Sequence, residues 1–183
     1  MSDKSIHNIN KQLQKYADSV ISLRCKQPQD LEVVSSLLQD ALIGNADLRF
    51  EKSKNSFLFV ANRFCWEAAT QISEDKNYYR VLSGVNIQNV TSVKHQNLTH
   101  YNEENSALFY NLLTIEYDSD NNEVTLVFSQ NVSVKLTVSE LDIFIRGDDH
   151  VMPCADLWAP CSELLGVFLV GFFLMGFPFA ICG

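Results

Sequence analysis

The chain has 183 residues, and its mass of 20.7 kDa fits one folded domain, or one domain with an appendage. Hydrophobic residues make up 46% and charged residues 20%, which excludes an overall disordered chain. Acidic residues number 22 against 14 basic ones, for a net charge of -8. This balance argues against a nucleic-acid partner, because phosphate binding needs clustered Lys and Arg.

The negative charge is concentrated in the second half of the chain. Residues 101–163 contain Lys135 and Arg146 as their basic residues, against twelve carboxylates, whereas the first 26 residues are net basic. This distribution predicts one strongly negative surface. Such a surface in most proteins serves solubility alone.

The cysteine content predicts free thiols. The number is odd, the spacing matches no disulfide framework, and the first ten residues lack the apolar run of a signal peptide. We therefore expect a cytoplasmic domain with reduced cysteines. The five are Cys25, Cys65, Cys154, Cys161 and Cys182.

The first elements in chain order are a polar extension, a strand and a helix. Residues 1–18 are weakly apolar and predict a mobile extension. Ile21, Leu23 and Cys25 alternate with polar residues and indicate a strand. Pro28 suits a first helical turn, and the apolar stripe that follows predicts a helix over 29–43.

From Leu48 to Val138 the apolar pattern has period two, which predicts consecutive antiparallel strands. The segment 56–66 is apolar on both faces and predicts a central strand that is covered on both sides. Asp118 to Asn122 predicts a hairpin turn, because Asn and Asp tolerate positive φ. The predicted strands cover 48–51, 56–66, 79–98, 109–117, 124–128 and 132–138.

The last elements predicted are a helix and a linker. Ser139 resembles an N-cap, and the residues after it predict a short helix over 140–146. A single domain is expected over 19–147, followed by an irregular linker over 148–163. The element order predicts an α+β fold whose antiparallel meander closes into a barrel or roll, with the split barrel of pleckstrin-homology domains preferred.

Two sequence blocks carry a family resemblance. Leu38-Gln39-Asp40-Ala41, together with Asn62-Arg63-Phe64 and Trp66-Glu67, resembles the bacterial, largely alphaproteobacterial, domain-of-unknown-function family numbered 2948. The resemblance covers about residues 20–160. It implies a bacterial cytoplasmic protein and no established activity, cofactor or substrate. The apolar ending of this chain departs from the short polar tail usual in such proteins.

The same blocks contain the strongest polar and aromatic cluster. Strand alternation places Asn62 and Trp66 on one face and Arg63 on the other. A buried Arg63 needs a carboxylate, for which Asp40, Asp47 or Glu67 is available. Either an ion pair that fixes the early helix to the sheet or a partner-binding edge fits the pattern. The cluster comprises Gln39, Asp40, Asn62, Arg63, Trp66 and Glu67.

Residues 164–183 contain no charged side chain. As a helix the segment is about 30 Å long, which matches the hydrocarbon core of a bilayer. Its twelve Leu, Val, Phe and Ile residues favour insertion by about 4–7 kcal/mol as an upper bound. The segment predicts an inner-membrane anchor, with burial in the fold or in a partner, or an aberrant chain end, as alternatives. Its candidate membrane residues are Leu164, Phe168, Phe172, Leu174 and Phe177.

No pattern in the sequence identifies a catalytic, cofactor or metal site. The acidic turn that begins at Asp118 lacks the glycine and the final glutamate of a calcium loop. His150, Cys154 and Cys161 match no zinc spacing. The sequence predicts a non-catalytic binding or interaction module with a protein partner and a membrane tether. A small hydrolase, or another enzyme with an unrecognised site, is the alternative.

Overall fold

The computed structural model describes residues 21–65, 79–100 and 108–153. These ranges contain one α-helix, α1 (Pro28–Leu38), and ten strands. The strands are β1 (Ser22–Cys25), β2 (Ala41–Gly44), β3 (Arg49–Glu51), β4 (Ser56–Phe64), β5 (Tyr79–Ile87), β6 (Val90–Gln96), β7 (Phe109–Asp118), β8 (Glu123–Phe128), β9 (Ser133–Val138) and β10 (Ile143–Pro153).

All ten strands belong to one antiparallel sheet. Its order is β1-β10-β5-β4-β2-β7-β8-β9-β6, and β3 pairs with the free part of β4. The α+β class and the antiparallel sheet are therefore confirmed. Within the described ranges, the end strands β1 and β6 do not pair with each other, so the sheet is not closed into a barrel.

The sheet has two halves that share one core. The first half consists of β1, β10, β5, β4 and β3, and the second half of β2, β7, β8, β9 and β6. The inward-facing residues of both halves form one hydrophobic cluster, which includes Phe59, Ile145, Leu126 and Leu136. Burial of these residues supplies the main driving force for folding.

Between β5 and β6, the chain passes from the first half to the second at Asn89. The sequence predicts one strand over 79–98, whereas the structure contains two, β5 and β6, which pair with different neighbours. Asn89 has a φ of 61°, and its carbonyl accepts a hydrogen bond from Ser139 N–H at 3.0 Å. Asparagine tolerates this left-handed backbone better than most residues, so it permits the sharp change of direction.

The early helix begins at Pro28 but ends at Leu38, five residues before the predicted end. Asp40 has a φ of 61° and its N–H donates to the Leu112 carbonyl, which starts β2. The apolar residues at 41–43 fit a strand as well as a helix, and pairing of β2 with β7 decides between them. Leu31, Val34 and Leu38 of α1 are buried in the core.

The helix predicted over 140–146 is wrong. Ile143 and Ile145 are fully buried and alternate with Phe144 and Arg146, which is the burial pattern of a strand. They belong to β10, which pairs with β1 on one side and with β5 on the other. The strand continues to Pro153, into the segment predicted as an irregular linker. Tertiary pairing has overridden the local helix signal.

The predicted hairpin turn between β7 and β8 is confirmed. The Asp118 carboxylate accepts hydrogen bonds from the N–H groups of Asp120 and Asn121, at 3.0 and 3.3 Å. Asn122 has a φ of 52°, which closes the hairpin. Gln130 and Asn131, with φ values of 62° and 58°, form the next turn.

Candidate functional site

Arg63 lies on the core-facing side of β4, beyond Phe57, Phe59 and Ala61. Only 1% of it is exposed. Its Nε donates to Ser83 Oγ at 3.1 Å, and its Nη1 donates to the Phe64 carbonyl at 3.2 Å. A guanidinium removed from water requires such partners. Arg63 and Asn62 lie on opposite faces of β4, as strand alternation predicts.

The carboxylates proposed as partners of Arg63 are engaged elsewhere or lie outside the described residues. Asp40 is exposed, and its Oδ1 accepts from Asn111 Nδ2 at 3.4 Å. Asp47 is half-buried near the backbone N–H of Gly44. Glu67 and Trp66 lie outside the described residues. An ion pair between Arg63 and Glu67 therefore stays a prediction.

Asp40 and Asn62 are brought together by a residue that the sequence did not single out. Arg80 Nη2 donates to the carbonyl oxygens of Asp40 and Asn62, at 2.7 and 3.0 Å. Arg80 Nε donates to Asn62 Oδ1 at 3.2 Å. With Asn111, these residues form what we call the Arg80 corner. It joins the end of α1 to β4, β5 and β7.

The described members of the predicted cluster do not form one site. They lie on different faces of the sheet. Asn62 and Asp40 lie at the corner, Arg63 points into the core, and Gln39 is exposed at the end of the helix. The Asn111 Oδ1 atom is buried with no hydrogen-bond partner among the described residues. Arg80 donates two of its hydrogen bonds to main-chain carbonyls, which indicates a structural role.

A second polar contact fastens the edge strand β1. Arg24 and Asp142 form a bidentate ion pair, with distances of 2.8 Å from Nε to Oδ1 and 2.7 Å from Nη2 to Oδ2. The Asp142 side chain is 8% exposed and the Arg24 side chain 54%. The hydrogen bond from Arg24 holds the pKa of Asp142 below its usual value.

Two other titratable groups have pKa values shifted upward by burial. Burial raises the pKa of Asp47, against the lowering effect of the hydrogen bond from Gly44 N–H. Burial also raises the pKa of the Cys25 thiol to about 11. Because the thiolate is the nucleophilic form of cysteine, the raised pKa disfavours reaction of Cys25 at neutral pH. No cluster of three or more His, Cys, Asp or Glu side chains in the described ranges could hold a metal ion.

On the outward side of the first half, a strip of apolar residues and one glycine lies between polar neighbours: Arg24 and Asn86 share the row of Phe144, and Arg146 shares the row of Gly84. We call this surface the apolar face, and its members are Leu58, Val60, Leu82, Gly84 and Phe144. The register places Phe144 and Leu58 on either side of Asn86, and Gly84 beside Val60. Leu82 is 8% exposed and does not belong to the core cluster, whereas Leu58, Val60 and Phe144 are half-buried.

The corresponding row of the second half is polar throughout. Glu116, Thr125, Lys135 and Lys94 lie side by side on β7, β8, β9 and β6. Lys135 Nζ also lies 3.0 Å from Glu123 Oε2. Elsewhere on β7, however, Phe109 and Leu113 are 44% and 43% exposed.

Among the described residues, no helix is long and apolar enough to cross a membrane. The candidate anchor, residues 164–183, lies outside those residues.

Together these features define an α+β domain with a ten-stranded open antiparallel sheet in its described part. The family model described as protein of unknown function (DUF2948) matches residues 21–156, and the chain belongs to this family. The resemblance drawn from the two sequence blocks is thereby confirmed. No curated protein matches the chain, and no solved structure matches it.

Proposed function

We propose that the domain is a non-catalytic interaction module that binds a protein partner and is tethered to a membrane by residues 164–183. The observation that carries the proposal is the apolar face. Sheets that expose one surface to water normally alternate apolar and polar residues along each strand. β4 instead carries Leu58 and Val60 outward while Phe57 and Phe59 point into the core.

The scaffold behind the apolar face supports a binding role. β5 pairs with β4 over eight residue pairs and with β10 over another eight. These strands hold the face in place, and the Arg24–Asp142 pair attaches β1 at its margin. A preformed surface binds with little loss of conformational entropy, so apolar burial contributes more fully to affinity.

The membrane tether rests on the sequence of residues 164–183. The segment has no charged residue and is long enough to span the hydrocarbon core. A tether of this kind would keep the acidic domain at the bilayer surface. Flotation of the full chain with neutral lipid vesicles measures this part of the proposal directly.

The binding role is tested by replacing one residue of the apolar face and one residue of the polar row. The full chain, Val60→Lys and the matched control Thr125→Lys are each used to capture proteins from the same lysate. We expect Val60→Lys to lose partners that the wild type and Thr125→Lys both retain. Leu58→Gln serves as a milder second variant, and urea midpoints confirm that each variant is folded. An identical set of partners for all four proteins contradicts the proposal.

A further inference from the structure

We propose that the outer edge of β6 binds an extended, acidic segment of a partner protein, which adds to the sheet as a further antiparallel strand. β6 ends the strand order, and among the described strands it pairs with β9 alone. The edge belongs to the second half of the sheet and is a second binding surface besides the apolar face. In this mode of recognition, main-chain hydrogen bonds supply affinity and alternate side chains supply specificity.

The orientation of the neighbouring strand β9 shows which main-chain groups of β6 face outward. Val138 N–H donates to the Asn122 carbonyl, on the side of β9 that faces β8. The main-chain groups of successive strand residues alternate between the two edges, so the residues two and four positions earlier on β9 also face β8. These residues lie opposite Val93 and His95. The N–H and C=O groups of Val93 and His95 therefore point away from β9.

The outward groups at Val93 and His95 form a short site for strand addition. Val90 N–H, at the start of β6, donates to the Asn55 carbonyl at 2.8 Å, whereas no residue in the described ranges accepts from the N–H groups of Val93 and His95. The last three residues of β6 are exposed, and Asn97, with a φ of 56°, ends the strand. Two outward residues separated by one offer two donors and two acceptors, which an antiparallel strand can complete.

The charge at this edge favours an acidic occupant. Lys94 lies opposite Lys135, and like charges in such a pair are destabilising. Lys135 Nζ has a carboxylate partner, Glu123 Oε2 at 3.0 Å, whereas Lys94 forms no ion pair with any residue in the described part of the chain. In the added strand, the residue opposite Lys94 belongs to a non-hydrogen-bonded pair, whose Cα atoms are only about 4.5 Å apart. A carboxylate at this position neutralises Lys94.

A second copy of this chain fits the same edge poorly. The register that pairs Val93 of one copy with His95 of the other also places the two Lys94 residues opposite each other, in the closest type of pair. Lysine on an edge strand is a common protection against such self-pairing. The edge therefore selects a different chain with negative charge at this position.

The inward side of the edge adds a preference for apolar neighbours of the acidic residue. Val93 is partly buried and packs against the core cluster. An apolar side chain opposite Val93 extends this cluster and leaves water on binding. Because successive residues of a strand face opposite sides, the expected segment has an acidic residue with an apolar residue beside it.

The test measures binding of acetyl-Thr-Thr-Val-Glu-Val-Thr-Thr-amide to the nitrogen-15-labelled full chain by NMR. We expect this acidic peptide to shift the amide signals of Val93 and His95 and to slow their exchange with solvent. The same peptide with Lys in place of Glu should bind at least about fivefold more weakly. N-methylation of the Val after Glu, which removes the main-chain donor opposite Val93, should weaken binding by about tenfold.

Two variants of the full chain test the two parts of the recognition separately. Lys94→Glu should reverse the preference between the acidic and the lysine peptide. Lys26→Glu makes the same change of charge beside β1, at the other end of the strand order, and should keep the wild-type preference. His95→Pro removes an outward N–H that β9 does not use, and should weaken the acidic peptide by about tenfold. Urea midpoints confirm that each variant is folded.

Several results overturn strand addition at β6. They are equal binding of the acidic and lysine peptides, an unchanged preference in Lys94→Glu, and signal changes confined to residues outside β6. Shifts at Val93 and His95 that depend on protein concentration without peptide identify a second copy as the occupant and also overturn it. Absence of binding at about 1 mM acidic peptide, with self-association of Lys94→Glu, shows that Lys94 only protects the edge.

Discussion

Removal of the buried guanidinium of Arg63 tests how far its hydrogen bonds stabilise the fold. Arg63→Ala removes the donors to Ser83 Oγ and to the Phe64 carbonyl, and Ser83 is itself fully buried. A buried group that loses its partner costs about 1–3 kcal/mol, and the lost side-chain volume leaves a cavity. Together these effects predict a loss of about 3–5 kcal/mol in the free energy of unfolding.

Urea unfolding of the full chain measures this loss. With a slope of about 2 kcal/mol per molar urea, the midpoint should fall by roughly 1.5–2.5 M at unchanged slope. Arg63→Met should lose less, because it retains much of the apolar stem. Arg49→Ala on β3, where the side chain is 46% exposed, should change stability by less than about 1 kcal/mol. A wild-type midpoint for Arg63→Ala refutes the reasoning.

Three further predictions concern titratable groups of the same domain. Because the pKa of Asp142 is lower in the folded state, its ionised carboxylate stabilises the fold at pH values above the ordinary carboxyl pKa. This stabilisation is lost as the pH falls through the pKa of the folded state. Urea midpoints of Asp142→Asn should therefore fall below the wild type at neutral pH and converge with it in acid. Burial raises the pKa of Asp47, so the opposite sign applies: Asp47→Asn should have the higher midpoint at neutral pH, with the difference vanishing in acid. For each variant, a difference in urea midpoint from the wild type that stays the same at all pH values contradicts the argument. The Cys25 thiol, with a pKa of about 11, should resist iodoacetamide at pH 7 in the folded chain and react in urea, as mass spectrometry of its peptide will show.

The strand content could be predicted because the period-two pattern is strong where one strand face is buried. Phe57, Phe59 and Ala61 show this pattern, and the turn at Asp118 follows from side-chain chemistry that acts locally. The residues at 141–146 could not be assigned in the same way. Their apolar positions fit both a helix and a strand, and pairing with residues far away in the sequence decides the outcome.

The candidate site shows the same limit. Asn62 and Asp40 were selected from the two sequence blocks, but their common partner Arg80 lies on β5, outside both blocks. Asn111 joins them through the register of β2 against β7. Such contacts depend on strand pairing, which a single sequence does not encode as a local signal.

The position of β10 has a consequence for how the protein acquires its fold during synthesis. The last described strand lies between β1 and β5, and the Arg24–Asp142 pair joins residues 118 positions apart. The first half therefore lacks an interior strand until Pro153 has left the ribosome, whereas the β7-β8-β9 meander can form earlier from local contacts. Closing so long a loop slows folding and leaves the unpaired edges of β1 and β5 exposed meanwhile. A nascent chain that stops before residue 143 presents two strands ready to pair with a neighbouring chain, which makes premature termination an aggregation hazard for this protein.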